Sequence, residues 1–173
     1  MTKVILVNEQ DIAIGEMEKI EAHEKALLHR AFSIFIFNSN GDMLLHQRAI
    51  TKYHSPGLWT NTCCSHPQPG EEIEAAAIKR LQEEMGFTTP LRRAFTFIYQ
   101  AAFDNGLTEH ELDHVFVGRY DGPVNPNPEE VSNYKHENIN TVAAQIEQHP
   151  ELFTEWFKIA LPKLQTWLSL QEK

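Results

Sequence analysis

The sequence predicts an α/β (α+β) fold, with helices sandwiching a mixed β-sheet. Three observations carry this reading: short β-rich runs recur along the chain, one strongly amphipathic helix separates them, and a second helical stretch closes the sequence. At 173 residues the chain is long enough for one well-buried core and short for two, so one domain is expected over residues 1–173.

In chain order, residues 3–8 (KVILVN) read as a strand. Residues 16–28 are charged and helix-permissive with untidy apolar spacing, which leaves helix and loop both open. FSIFIFN at 32–38 is β-rich, SNGD at 39–42 is a turn, and residues 43–48 return as the second arm of a hairpin. EEIEAAAIKRLQEEM at 71–85 is the clearest helix, with carboxylates in its first turn and Gly86 placed to end it. Strands follow at 94–103 and 109–120, joined by the DNG turn at 104–106. DGPVNPNPEE is a loop, 134–139 a further strand and 141–148 a short helix. The last helix, 152–170, is expected to be interrupted at Pro162.

Composition is that of an ordinary globular protein: 42% hydrophobic, 23% charged, formal net charge −9. That charge argues against a nucleic-acid binder working through its overall field. The opening MTKVILVNEQDIAIG lacks the pattern of a signal peptide, and no apolar run approaches the ~20 residues of a membrane helix, so a cytoplasmic protein with no membrane partner is expected. Cys63 and Cys64 are adjacent, and an unstrained disulfide cannot close across one peptide bond. Free thiols in a reducing compartment follow.

TNTCCSHPQPG at 60–70 concentrates reactive groups. If it is extended, Thr62, Cys64 and His66 share one face while Cys63 and Ser65 take the other, so one thiol points toward a potential ligand and its neighbour into the core. In EHELDH, alternation puts Glu109, Glu111 and Asp113 on one face and His110, Leu112 and His114 on the other. Two readings stand level there: an edge strand with its charges in water, and two carboxylates aimed into one cavity beside a cation. His23 and His29 lie six residues apart, a poor spacing for one helical face, so joint metal binding requires a bend between them. On the 71–85 helix, Glu71 and Glu84 are about 140° from alignment at ~100° per residue, so they do not share a face tightly.

The helix also resembles the Nudix box, from Ser65 through Glu71 to Lys79-Arg80-Leu81-Gln82-Glu83-Glu84-Met85-Gly86-Phe87. A Nudix hydrolase gathers Mg²⁺ with several of these carboxylates to activate water. Arg80 stands where such an enzyme keeps a glutamate, which speaks against hydrolysis and leaves diphosphate binding intact. With WTNTCCSHPQPGE at 59–71 and the E-x-E strand, the chain resembles the type 1 isopentenyl-diphosphate isomerases of the Nudix superfamily over about residues 3–156.

The resemblance implies a Nudix-type α/β/α sandwich, with its core at about 30–160, an N-terminal ligand segment at 16–29 and the C-terminal helix at 152–170. It implies conversion of isopentenyl to dimethylallyl diphosphate, with Cys64 and Glu111 as acid/base residues, Tyr99 beside the glutamate and Trp156 facing the carbocation. By the same resemblance His23, His29, His66, Glu109 and Glu111 hold a divalent ion (Mn²⁺, Zn²⁺ or Mg²⁺). The His23–His29 spacing is one residue shorter than in a bacterial form of that family. Glu84 would help hold a second Mg²⁺ on the substrate, and Lys19, Arg48, Lys52 and Arg80 would grip the diphosphate. The expected partner is that small isoprenoid diphosphate, with the protein a monomer or weak dimer. Rival readings are a Nudix pyrophosphohydrolase, a structural metal module lacking the usual four-ligand spacing, and a thiol hydrolase lacking an oxyanion motif.

Overall fold

The computed structural model describes residues 2–172. In order, the elements are β1 (Lys3–Val7), β2 (Ala13–Glu18), α1 (Lys19–Glu24), β3 (His29–Phe37), β4 (Met43–Arg48), β5 (Trp59–Thr60) and β6 (Cys63–Ser65). Then come α2 (Ile73–Met85), β7 (Leu91–Ala102), β8 (Thr108–Arg119), β9 (Val131–Glu137), α3 (Ile139–Gln148), a 3-10 turn (Pro150–Leu152) and α4 (Glu155–Gln171).

β3 is the hub of the sheet. It runs parallel to β8 in a register from His29↔Glu111 to Phe37↔Arg119, and antiparallel to β6. β7 pairs with β8, and β9 with β4, both antiparallel, so the sheet is mixed as predicted. A strand covered on both faces needs apolar groups at successive positions, which AFSIFIF supplies.

Alternation along β3 sorts the core into two layers. Phe32, Ile34 and Ile36 pack with Leu44, Phe116 and Cys63 against Ala76, Ala77, Leu81 and Met85 of α2. Phe35 and Phe37 face the other way, onto Trp156, Phe157, Ala160 and Leu161 of α4 and Val142 of α3. Each large apolar side chain so buried contributes about 1.5–3 kcal/mol. The result is the expected α/β/α sandwich. A third small cluster, Ile5, Val7, Leu112 and Leu28, seats the β1–β2 hairpin at the end of the sheet where β3 begins.

Some expectations need correction, and two readings left open by the sequence are resolved. Residues 16–28 are not one element: β2 ends at Glu18, whose carboxylate caps α1 by accepting from the Glu21 amide, and the chain then turns at Ala26 with φ 55°. The helix at 152–170 begins later, at Glu155, and runs unbroken through Pro162. Proline there removes the bond to the Lys158 carbonyl, at about 3 kcal/mol, but buried Leu161 and Leu164 on either side hold the helix against the sheet. The expected strand at 134–139 lies at Val131–Glu137, and α3 starts at Ile139 because Asn138 caps it through the Asn140 amide. Finally, β8 is no edge: it lies between β3 and β7, so the carboxylates of EHELDH are buried.

Candidate active site

Strand register assembles the first half of the site. The β3–β8 pairing sets His29 beside Glu111, and the β7–β8 pairing sets Tyr99 beside Glu111 and Ala101 beside Glu109. His29 Nδ1 lies 2.9 Å from the Leu27 carbonyl, which can only accept, so Nδ1 carries the hydrogen. Its Nε2 lies 3.0 Å from Glu111 Oε2, where it donates when the ring is protonated and offers a lone pair to a cation when the ring is neutral. His66 Nε2 meets the same oxygen.

His23 arrives from α1 after the turn at Ala26; it is fully buried, and neither ring nitrogen has a hydrogen-bond partner among the described residues. Ligand atoms of His23, His29, His66 and Glu111 all lie within 4.8 Å of one another. Three imidazoles and a carboxylate whose lone pairs converge fit a divalent cation, which would take one of the two orphaned His23 nitrogens and relieve the crowding at Glu111. Glu109 lies outside that tight group. Its Oε2 accepts from the Tyr99 hydroxyl at 3.2 Å, and its Oε1 is buried without a hydrogen-bond partner among the described residues.

The electrostatics separate the two carboxylates. Burial opposes charge on Glu111, but His66 and His29 hold it well below the usual carboxylate range. Burial and then the neighbouring Glu111 push Glu109 well up. Tyr99, whose hydroxyl donates to Glu111, is pushed up by burial and both carboxylates, so it stays protonated. Desolvation, aided by His66, takes His23 down to about 3.

Strand β6 then divides the paired cysteines as alternation predicts. Cys64 pairs with Ser33 across β3 and lines the pocket with His66, Glu109, Glu111, Tyr99 and Trp156. Burial pushes its thiol well up, with Arg48 opposing. Cys63 turns to the α2 side, fully buried, and its role is more than packing: the thiol donates to Glu84 Oε2 at 3.1 Å.

Lys19, Arg48, Lys52 and Arg80 all line the same pocket. Lys19 stands one helical turn before His23 on α1. The Arg48 guanidinium lies 5.2 Å over the Trp156 ring, whose Nε1 donates to Asn61. Trp156 is thus a pocket wall as well as a core residue. On α2, Glu84 is buried while Glu83 and Glu71 are not, and Glu71 lies before the helix, near Lys79. The box carboxylates are dispersed, and Arg80 Nε occupies the flank of Glu84 at 3.2 Å.

A NUDIX domain family model matches residues 27–157. The chain is 52% identical to the Isopentenyl-diphosphate Delta-isomerase 2 of Photorhabdus laumondii, over 90% of this chain and 88% of that one. It is 50% identical to the Isopentenyl-diphosphate Delta-isomerase of Pectobacterium atrosepticum, covering 95% and 92% respectively. The chain belongs to the isopentenyl-diphosphate isomerase family of Nudix proteins. The fold agrees: a crystal structure of a Deinococcus radiodurans protein superposes with TM-score 0.78 at 19% identity, covering 93% of this chain and 98% of that one.

Tyr53, His54 and Glu130 are among the lining residues of this Nudix isomerase fold that sequence reasoning did not assign. Tyr53 and His54 sit on the loop between β4 and β5, pinned by Asn105 to the Tyr53 carbonyl at 2.7 Å and by Arg48 to the His54 carbonyl at 3.1 Å. The His54 ring stacks on Phe103 and meets Trp156 edge-on. Glu130 bridges Lys52 and Arg80. Loops carry no periodicity, so the available signal was compositional: a histidine and a tyrosine directly after a lysine already assigned to the site.

Proposed function

We propose that this chain is an isopentenyl-diphosphate Delta-isomerase, converting isopentenyl to dimethylallyl diphosphate and back by protonating the alkene on one side and deprotonating the resulting cation on the other. The observation that carries the residue assignment is one pocket lined by the Cys64 thiol, the Glu111 carboxylate and four cationic side chains.

Cys64 is the proton donor to the terminal alkene carbon. An alkene is a very weak base, so its acid must be protonated and screened from water, and burial keeps the thiol protonated. Protonation leaves a tertiary carbocation, and Glu111 takes the proton from the neighbouring methylene to set the new double bond. The reverse reaction exchanges these roles. Tyr99 holds Glu111 in place by its hydroxyl, and the Trp156 π face stabilises the cation. Lys19, Arg48, Lys52 and Arg80 take the diphosphate. When bound, a divalent ion (Mn²⁺, Zn²⁺ or Mg²⁺) at His23, His29, His66 and Glu111, with Glu109 beside them, supplies the positive charge that keeps Glu111 ionised, and Mg²⁺ at Glu84 supplies neutralisation for the phosphates.

The same reading makes the chain one Nudix-like domain, a cytoplasmic monomer or weak dimer with a small-molecule substrate and no nucleic-acid or membrane partner. No helix of the described residues is long and apolar enough to cross a membrane.

The test is to incubate the protein with isopentenyl diphosphate and Mg²⁺ and follow proton and phosphorus NMR. Dimethylallyl diphosphate should accumulate without free phosphate. Phosphate release from small diphosphates with no double-bond shift would make it a pyrophosphohydrolase instead.

A further inference from the structure

Two of the four cations in the pocket wall, Lys52 and Arg80, are already paired with carboxylates. The Arg80 guanidinium lies against three carboxylates: Nη1 donates to Glu83 at 3.0 Å, Nη2 lies 3.1 Å from Glu130, and Nε lies 3.2 Å from Glu84 without hydrogen-bonding it. The other oxygen of Glu130 holds Lys52 Nζ at 2.7 Å. Glu130 thus occupies two of the four cations at the place where a phosphate would sit. Lys52 and Arg80 in turn hold its own carboxyl below the usual range against the effect of burial, so it is charged.

Position explains why this carboxylate is there. Glu130 closes the loop before β9, whose first residue, Val131, is buried against the α2 layer. Amides of that loop cap the end of α2: Asn127 donates to the Glu84 carbonyl at 2.9 Å and Asn125 to the Met85 carbonyl at 3.0 Å. The loop therefore carries Glu130 on the same rigid helix end that carries Glu84, and Arg80 is the common partner of both.

A free diphosphate entering this wall would displace a carboxylate from two of its partners and leave Glu84, Glu130 and the phosphates as neighbouring like charges. A diphosphate carrying a divalent cation brings the charge that offsets both carboxylates. Building on the isomerase reading, we infer that Glu130 is a specificity-determining residue: it makes the pocket select the metal-complexed diphosphate and reject the free one. Lysine and arginine alone would bind either form, since they recognise negative charge and geometry without reference to a metal.

The test needs no turnover, so it stays separate from the isomerase reading. Inorganic pyrophosphate is titrated into the full chain by calorimetry, with Mg²⁺ and in its absence, for wild type, Glu130→Gln and Glu130→Asp. Any metal at the histidine cluster is common to all three proteins and cancels in the comparison. The wild type should bind much more tightly with Mg²⁺. Glu130→Gln should shrink that Mg²⁺ advantage at least about tenfold, chiefly by tighter binding of metal-free pyrophosphate, while Glu130→Asp, which keeps the charge, should stay near wild type. An unchanged Mg²⁺ advantage in Glu130→Gln would overturn the inference, including the case where both affinities fall together because Lys52 and Arg80 have lost their brace. Failure of wild type to bind pyrophosphate under either condition would overturn it as well. If Glu130→Gln melts well below wild type, the charge-keeping and charge-removing pair Glu130→Asp and Glu130→Ala gives the same comparison.

Discussion

Cys63 and Cys64 sit one residue apart on a strand packed on both faces, so their thiols meet opposite layers of the molecule. Cys64→Ala and Glu111→Gln should each lower turnover by at least about 10³-fold, since each removes one side of the proton exchange; a coupled assay at saturating substrate measures it. Cys63→Ala should keep most of the turnover and lose about 1–2 kcal/mol in urea unfolding, because it removes a buried volume and the thiol hydrogen bond to Glu84. Full loss of turnover in Cys63→Ala with activity retained in Cys64→Ala would reverse the assignment. His46 sets an acid limit on the fold. It is fully buried with Nδ1 donating to the Thr62 carbonyl at 2.8 Å, and desolvation takes it down to about 4. The unfolded chain, with histidine near 6.5, binds the extra proton first as pH falls, so the stability held above pH 6.5 is lost progressively toward pH 4. That loss is on the order of 3 kcal/mol. Urea midpoints from pH 7 to pH 4 should fall accordingly, and less steeply in His46→Gln.

At the level of elements, α2 joins the core to the site. Gly86 ends it at φ 78°, and an added Cβ would lie 2.4 Å from the Asn125 carbonyl oxygen, in the loop that carries Glu130. Gly86→Ala should therefore cost more than about 1 kcal/mol and should also shrink the Mg²⁺ advantage in pyrophosphate binding, because the clash moves the loop that carries Glu130; thermal melts and calorimetry read the two effects. Here the sequence was informative: carboxylates, an apolar stripe and a glycine stop placed α2 within two residues of its start. The segment before β3 was opaque for a physical reason. It holds a six-residue helix between an edge strand and a left-handed turn at Ala26, each too short for any period to emerge. Pro162 misled in the opposite direction, since burial of Leu161 and Leu164 outweighs the missing backbone bond.

Across the whole molecule, the sheet order turns scattered motifs into one pocket. Alternation in EHELDH found the correct face of β8, but only the parallel partnership of β3 and β8 made that strand central and its carboxylates buried. The family resemblance named the histidines, thiol and cations that the fold gathers, whereas Tyr53, His54 and Glu130 entered from loops whose positions no pattern specifies. The central claim is that Cys64 and Glu111 exchange protons with one substrate from two sides. It is tested most directly by incubating isopentenyl diphosphate with the protein in D₂O and locating deuterium in the product by NMR. Dimethylallyl diphosphate should form with deuterium in a methyl group for the wild type, and essentially none should form with Cys64→Ala or Glu111→Gln. Double-bond transposition at the wild-type rate in either variant would contradict the account.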